Sequence, residues 1–222
     1  MAQQWPSLII YNYPMTITQA IDWRYGAKKL DPTKKIPEEK IKIILEAARK
    51  APSSNNFQPW KIIVVEDREL LAELQPAANN QEKVGQASHL IVLASLKKLD
   101  QEYIDYLVKI TAEKRNLPLE SLEGYRNSLS RSLNKTPEAW AAWAKQQTFI
   151  SLGFLLLAAA AEEVDAGPMG GFKPAEVDRI LGLDKTNYGS AVLVALGYRD
   201  EADKYAKLPK VRWSADEVID RR

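Results

Sequence analysis

Apolar residues recur along this chain with two periods, and each marks its own elements. Between 37 and 51, Ile41, Ile44, Leu45 and Ala48 fall at helical spacing and give one apolar face. Pro37 suits the first turn of that helix, Glu38 and Glu39 favour the positive end of its dipole, and Pro52 stops it. The β-branched run KIIVV, 61–65, predicts a buried strand, RELLAEL, 68–74, a helix, and HLIVLASL, 89–96, a second buried strand. Residues 100–134 predict two helices broken near Pro118. A long helix should run from Pro137 to about Glu163. Its second half is apolar around most of its circumference, which predicts burial against more than one neighbour. DAGPMGGF, 165–172, predicts a Gly-Pro turn. A helix over 174–182 and a third buried strand, SAVLVALGY at 190–198, follow. At the front, residues 1–15 predict an extended arm, and Thr16 should cap a short helix through Arg24. Buried strands alternating with helices predict a sheet covered on both faces, an α/β-type arrangement. Nothing in the composition marks a linker, so one domain over 1–222 is expected, with a C-terminal extension at 199–222.

Composition narrows the function classes. The 222 residues are 45% hydrophobic and 27% charged, as in ordinary globular proteins. Lys and Arg number 31 against 29 acidic residues, a net charge of +2, which gives no basic stripe for nucleic acid. Cysteine is absent, which excludes disulfides, thiolate catalysis and cysteine metal sites and fits a reducing, cytoplasmic compartment. No Lys or Arg precedes Arg24, so no secretory signal is expected. The most apolar run, FISLGFLLLAAAA at 149–161, falls short of the ~18 residues a membrane span needs.

Several chemistries are argued down by what is missing. The single histidine, His89, has no G-x-S-x-G partner for a triad and reads as structural. No cluster has metal-ligand spacing, and neither G-x-G-x-x-G nor a Walker loop is present. An enzyme built this way would draw its reactive group from a bound cofactor.

The stretch APSSNNFQPW, 51–60, stands between a helix and a strand. It reads either as a helix stop and loop or as a polar lip that hydrogen-bonds a ligand. Together with RYGAK (24–28), NQEK (80–83), GPMGGF (167–172) and LPKVR (208–212), it resembles the nitroreductase family of FMN-dependent NAD(P)H oxidoreductases. The similarity runs from about residue 16 to 219.

That resemblance implies an α+β fold: a central mixed sheet flanked by helices, with a long helix at the core and the subunit interface. It implies FMN as cofactor and NAD(P)H as reductant. Arg24 matches the arginine on the FMN phosphate, with Lys210 and Arg212 as the basic pair beside it. Lys28 and Lys83 match lysines at the pyrimidine edge of the flavin, where they would stabilise the negative charge of the reduced ring. Asn80 matches an asparagine at the ring, and Tyr25 and Gly26 stand in the same loop motif as Arg24 and Lys28. Pro52, Ser53, Ser54 and Asn56 match residues that reach the flavin from the other subunit of a homodimer with shared sites. Met169, Gly170 and Gly171 match the turn whose backbone approaches N5 and O4. Gly26 and Gly170 depart from relatives that carry Ser and Glu there, which changes contacts near the ring.

Trp140 and Trp143, spaced i,i+3, are candidates for the edge of the substrate pocket, with plain packing as the alternative. The implied reaction is ping-pong transfer of hydride from NAD(P)H to a nitroaromatic, quinone or similar acceptor, with no catalytic side chain. The implied partners are a second copy and a small-molecule acceptor, without nucleic acid or membrane. Two other readings stand beside it. One is a different flavin reaction on the same fold: flavin fragmentation, reductive dehalogenation or heterocycle dehydrogenation. The other is a flavin-binding protein without turnover.

Overall fold

The computed structural model describes residues 15–222; the expected N-terminal arm lies outside them except for its last residue, Met15. Helix α1 (Ile17–Trp23) begins at Thr16, whose hydroxyl accepts from Gln19 N–H at 3.3 Å while the Gln19 side chain accepts from Thr16 N–H at 2.8 Å. Helix α2 (Glu38–Arg49) buries Ile41, Ile44 and Ala48, as its spacing predicts; Pro37 serves as its N-cap rather than sitting inside the first turn. Strand β1 (Trp60–Val65), helices α3 (Arg68–Ala77) and α4 (Glu82–Gln86), and strand β2 (His89–Leu96) follow. Helices α5 (Gln101–Arg115) and α6 (Glu123–Ser130) are separated by a 3₁₀ turn after Pro118. The long helix α7 (Pro137–Ala161) leads to strand β3 (Asp165–Met169), helix α8 (Pro174–Ile180), strand β4 (Tyr188–Gly197) and a last short helix, α9 (Ala215–Val218).

The four strands form one sheet in the order β1-β2-β4-β3, every neighbouring pair antiparallel. Helices therefore do not carry the chain between parallel neighbours, and the class is α+β rather than the α/β that strand-helix alternation predicts. The parallel component is confined, among the described residues, to a single bridge, Gly26 to Ala166.

Alternation explains why two strands read as unbroken apolar runs. Leu90 and Val92 of β2, with Leu193 and Ala195 of β4, face one core with Leu71 and Leu74 of α3 and Val177 of α8. Ile91, Leu93, Val192, Val194 and Leu196 face the other, against Ile41 and Ile44 of α2 and Leu155 and Ala159 of α7. Both faces are covered, so both periods must be apolar.

Two expectations need correction. KIIVV is an edge strand, not a buried one: Lys61 and Val64 are exposed and Ile62 and Ile63 half-buried. DAGPMGGF is not a turn throughout, because Asp165–Met169 pairs with β4 over its whole length. Pro168 fits there because β3 lies at the end of the hydrogen-bonded order, where a missing N–H costs no ladder bond. Among the described residues, no helix is long and apolar enough to cross a membrane.

Candidate functional site

The loop after α1 is held to the outer side of β3. Ala27 N–H donates to the Ala166 carbonyl at 3.1 Å. Buried Asp165 binds Arg199, and the Arg199 guanidinium lies 4.2 Å from the Trp23 ring centre and 4.8 Å from that of Tyr25. Asp203 closes the loop from the other side, accepting from the Tyr25 hydroxyl and the Lys28 and Lys29 N–H groups. Burial and that bond raise the Tyr25 phenol well above its ordinary pKa, so Tyr25 is neutral and committed to Asp203.

Along this edge the structure gathers Arg24, Lys210 and Arg212. Burial, and then the charge of Arg212, lower the pKa of half-buried Arg24, so the two guanidinium groups feel each other. Lys210 Nζ donates to the Asp22 carbonyl, which seats the tail beside the end of α1. Among the described residues, none of Arg24, Lys210 and Arg212 makes a salt bridge. Like charges held together in this way suit a multiply charged anion such as phosphate.

Lys83, on α4, is buried and has neither a hydrogen-bond acceptor nor an ion-pair partner among the described residues. Its ammonium is pushed down to about 8, first by burial and then by Lys28, with Asp203 pulling the other way. The sign for stability follows. The folded chain releases this proton at lower pH than the unfolded chain, so the contribution is favourable above about 10.5 and is lost as pH falls through about 8. The unliganded fold thus carries a buried charge at neutral pH, and an anionic ligand edge would relieve it.

Two residues important to this edge were not among the candidate site residues. Gly167 lets Lys83 cross β3: a Cβ there would lie 2.7 Å from the Ala27 carbonyl and 2.9 Å from Lys83 Cδ. Asp203 carries no spacing cue at all.

The turn after α3 joins the same edge. Asn79 and Asn80 both take left-handed backbone, φ 57° each, and the Asn79 and Gln81 side chains donate to the Gly171 carbonyl at 3.1 and 3.0 Å. Beside Gly26, Gly170 and Gly171 a Cβ would meet nothing within 4 Å, so these positions border open space. Arg24, Tyr25, Gly26, Lys28, Asn80, Lys83, Met169, Gly170, Gly171, Lys210 and Arg212 therefore lie on one side of the molecule.

The lip at 52–56 does not join them. It leads into β1, whose first residue, Trp60, pairs with Ser95, whereas the Gly26 bridge to Ala166 aligns through Leu196 with His89. Three strand intervals of about 4.8 Å and the run from His89 to Ser95 at about 3.4 Å per residue separate the two places by roughly 25 Å.

The lip itself is firmly set. Asn55, Asn56 and Gln58 are left-handed, with φ of 50°, 56° and 48°. Ser53 Oγ accepts from Gln58 N–H at 2.8 Å, and Ser54 N–H donates to Gln147 of α7 at 2.9 Å. Tyr125 donates to the Asn55 carbonyl, and Tyr103 to those of Phe57 and Gln58. Buried Phe57 meets the rings of Trp140 and Trp143 edge-on at 5.2 and 5.4 Å, so these tryptophans pack under the lip.

His89 is buried, with Nδ1 3.0 Å from Ser88 Oγ and Nε2 3.3 Å from Glu66, a structural arrangement as expected. Among the described residues, no cluster of three or more acidic or histidine side chains is placed to hold a metal.

The family model described as "Nitroreductase family" matches residues 21–198. A Staphylococcus haemolyticus protein named "Putative NAD(P)H nitroreductase" is 30% identical over 214 residues, covering 92% of this chain and 96% of the relative. A Bacillus subtilis protein of the same description, YfkO, is 30% identical over 215 residues, covering 91% and 96%. A crystal structure from Exiguobacterium sibiricum, described as "a putative nitroreductase in complex with FMN", superposes with a TM-score of 0.79 at 26% identity, covering 94% of this chain and 98% of that one.

Proposed function

Because this chain belongs to the nitroreductase family, we propose that it is an FMN-dependent oxidoreductase that carries reducing equivalents from NAD(P)H to a nitroaromatic, quinone or similar acceptor. The observation that carries this reading is a pair of cation groups on the loop and tail beside β3, Arg24 with Lys210 and Arg212, and Lys28 with buried Lys83. Their chemistry fits FMN, which has a phosphate at one end and a ring edge that becomes electron-rich on reduction. Arg24, Lys210 and Arg212 would hold the phosphate, and Lys28 and Lys83 would face the ring edge. Gly170 and Gly171 leave room for close approach of a flat ring. Bound FMN would supply the hydride chemistry in two half-reactions, with NAD⁺ or NADP⁺ leaving before the acceptor enters. This chain's side chains bind, orient and set charge, and none need act as a nucleophile.

The lip completes the site in a second copy. It leads into β1 at the corner of the sheet roughly 25 Å by strand spacing from the Gly26–Ala166 bridge, yet is rigidly presented. Beside it, α7 exposes Phe149, Ile150 and Phe154 along a groove of about 480 Å³ shared with Ala47 of α2. A contiguous apolar face of this kind is rare on a monomer, and a partner helix would cover it. Light scattering on the flavin-loaded protein is expected to give twice the chain mass; an active, loaded monomer would refute the shared site.

Anaerobic mixing with NADH or NADPH tests the activity. Absorbance near the flavin maximum should bleach with at least one nicotinamide and return on adding a quinone. A yellow protein inert to both would contradict the enzyme reading and favour a binding role.

A further inference from the structure

Asp203 is 2% exposed and stands where the cation-bearing loop meets the chain after β4. One carboxylate oxygen accepts from the Tyr25 hydroxyl at 2.9 Å, Lys28 N–H at 2.8 Å and Lys29 N–H at 3.1 Å; the other accepts from Tyr205 N–H at 3.0 Å. Four donors on one buried carboxylate far exceed what a loop crossing needs.

We propose that Asp203 is the positioning and charge-setting residue of the flavin site: it locks the Tyr25–Lys29 loop to the 203–205 turn and supplies the carboxylate that faces the Lys28–Lys83 pair. The inference rests on the flavin reading of the same cations.

Lys83 Nζ and the Ala27 carbonyl both lie within 3.3 Å of the place a Cβ on Gly167 would take, so the ammonium stands beside the Ala27–Lys28 peptide whose N–H Asp203 binds. The groups acting on Lys83 are Lys28 from the loop and Asp203 from the turn. Glu82, its neighbour on α4, is drawn instead to Lys29 at 3.7 Å. Burial raises the Asp203 carboxyl, but the donors from Lys28, Lys29, Tyr25 and Tyr205 outweigh it and hold the carboxyl below its ordinary range, so the charge persists at neutral pH. Two ammonium groups and one carboxylate leave a net charge of +1 (2 − 1), rather than a bare repelling pair. Without Asp203, Lys83 would give up its proton more easily, and the loop that carries Lys28 would lose its anchor.

Two variants separate the roles. Asp203→Asn keeps an oxygen where Tyr25, Lys28 and Lys29 donate but removes the charge; Asp203→Ala removes both. In the full-length apoprotein, NMR of ¹³C-labelled lysine side chains reads the Lys83 titration, assigned with Lys83→Arg. Its midpoint should move to lower pH in both variants and stay in place in Glu82→Gln. Fluorescence titration with FMN should show Asp203→Asn within about threefold of the parent and Asp203→Ala about tenfold weaker. A Lys83 midpoint unchanged in Asp203→Asn overturns the charge-setting role, and that variant carries the test should the alanine protein not fold. Parent-like FMN affinity in Asp203→Ala overturns the positioning role. A parent protein that takes up no FMN, while Asp203→Asn still shifts Lys83, supports the charge-setting role and counts against the flavin reading alone.

Discussion

Replacing Arg24 with alanine is expected to weaken FMN binding roughly 10- to 100-fold while leaving the flavin's midpoint potential almost unchanged. Arg24 is half-buried at the C-terminal end of α1, and its guanidinium shares its surroundings with Arg212 and the Lys210 arm. In the proposed site its removal deletes a charge-assisted contact to phosphate, worth about 1.5–3 kcal/mol, and 1.4 kcal/mol corresponds to a decade in affinity. Lys210 and Arg212 keep the loss from being larger. The phosphate carries the same charge in both oxidation states, so the loss is equal for both and cancels from the potential. Measuring the dissociation constant and the dye-equilibrated potential on one variant checks both halves.

The opposite pattern is expected of Lys83→Met. The midpoint potential should fall by on the order of 30 mV or more, since for a two-electron couple 30 mV equals about 1.4 kcal/mol, and one poorly screened charge at close range is worth that much or more. Oxidised FMN should stay bound, because the ammonium matters chiefly once the ring has gained electrons. Methionine fills the channel beside Gly167 without charge, so the unliganded protein should melt at higher temperature near pH 7, and that gain should shrink as pH rises past about 8. A potential that stays put with affinity lost would mean that Lys83 lies at the phosphate and not at the ring.

Much of this fold was legible because one physical cause dominated each stretch. HLIVLASL is a central strand with both faces buried, and its limits match the prediction, His89 to Leu96. Helix α2 follows its apolar spacing, and Thr16 caps α1 as its side-chain chemistry suggests. Failures occur where topology overrides local pattern. KIIVV has the composition of a central strand but pairs on one side only, which no residue within it announces. Gly167 and Pro168 signal a turn, yet the outer position of β3 tolerates Pro168, and Lys83 needs the space that Gly167 leaves.

The site divides in the same way. Its cations are adjacent or near-adjacent in short motifs and so can be read from the chain. Asp203 acts on residues 175 and 174 positions away through backbone N–H groups, which leave no trace in side-chain spacing. Trp140 and Trp143 were ambiguous because a helical i,i+3 pair fits a pocket edge and a packed core equally; Phe57 decides for packing.

The central claim is that the cations beside β3 hold FMN. Denaturing the purified protein, after reconstitution with excess FMN and removal of unbound flavin, and identifying the released chromophore tests it most directly. The account predicts FMN at about one per chain. Release of FAD in its place, or no flavin at all, would contradict it.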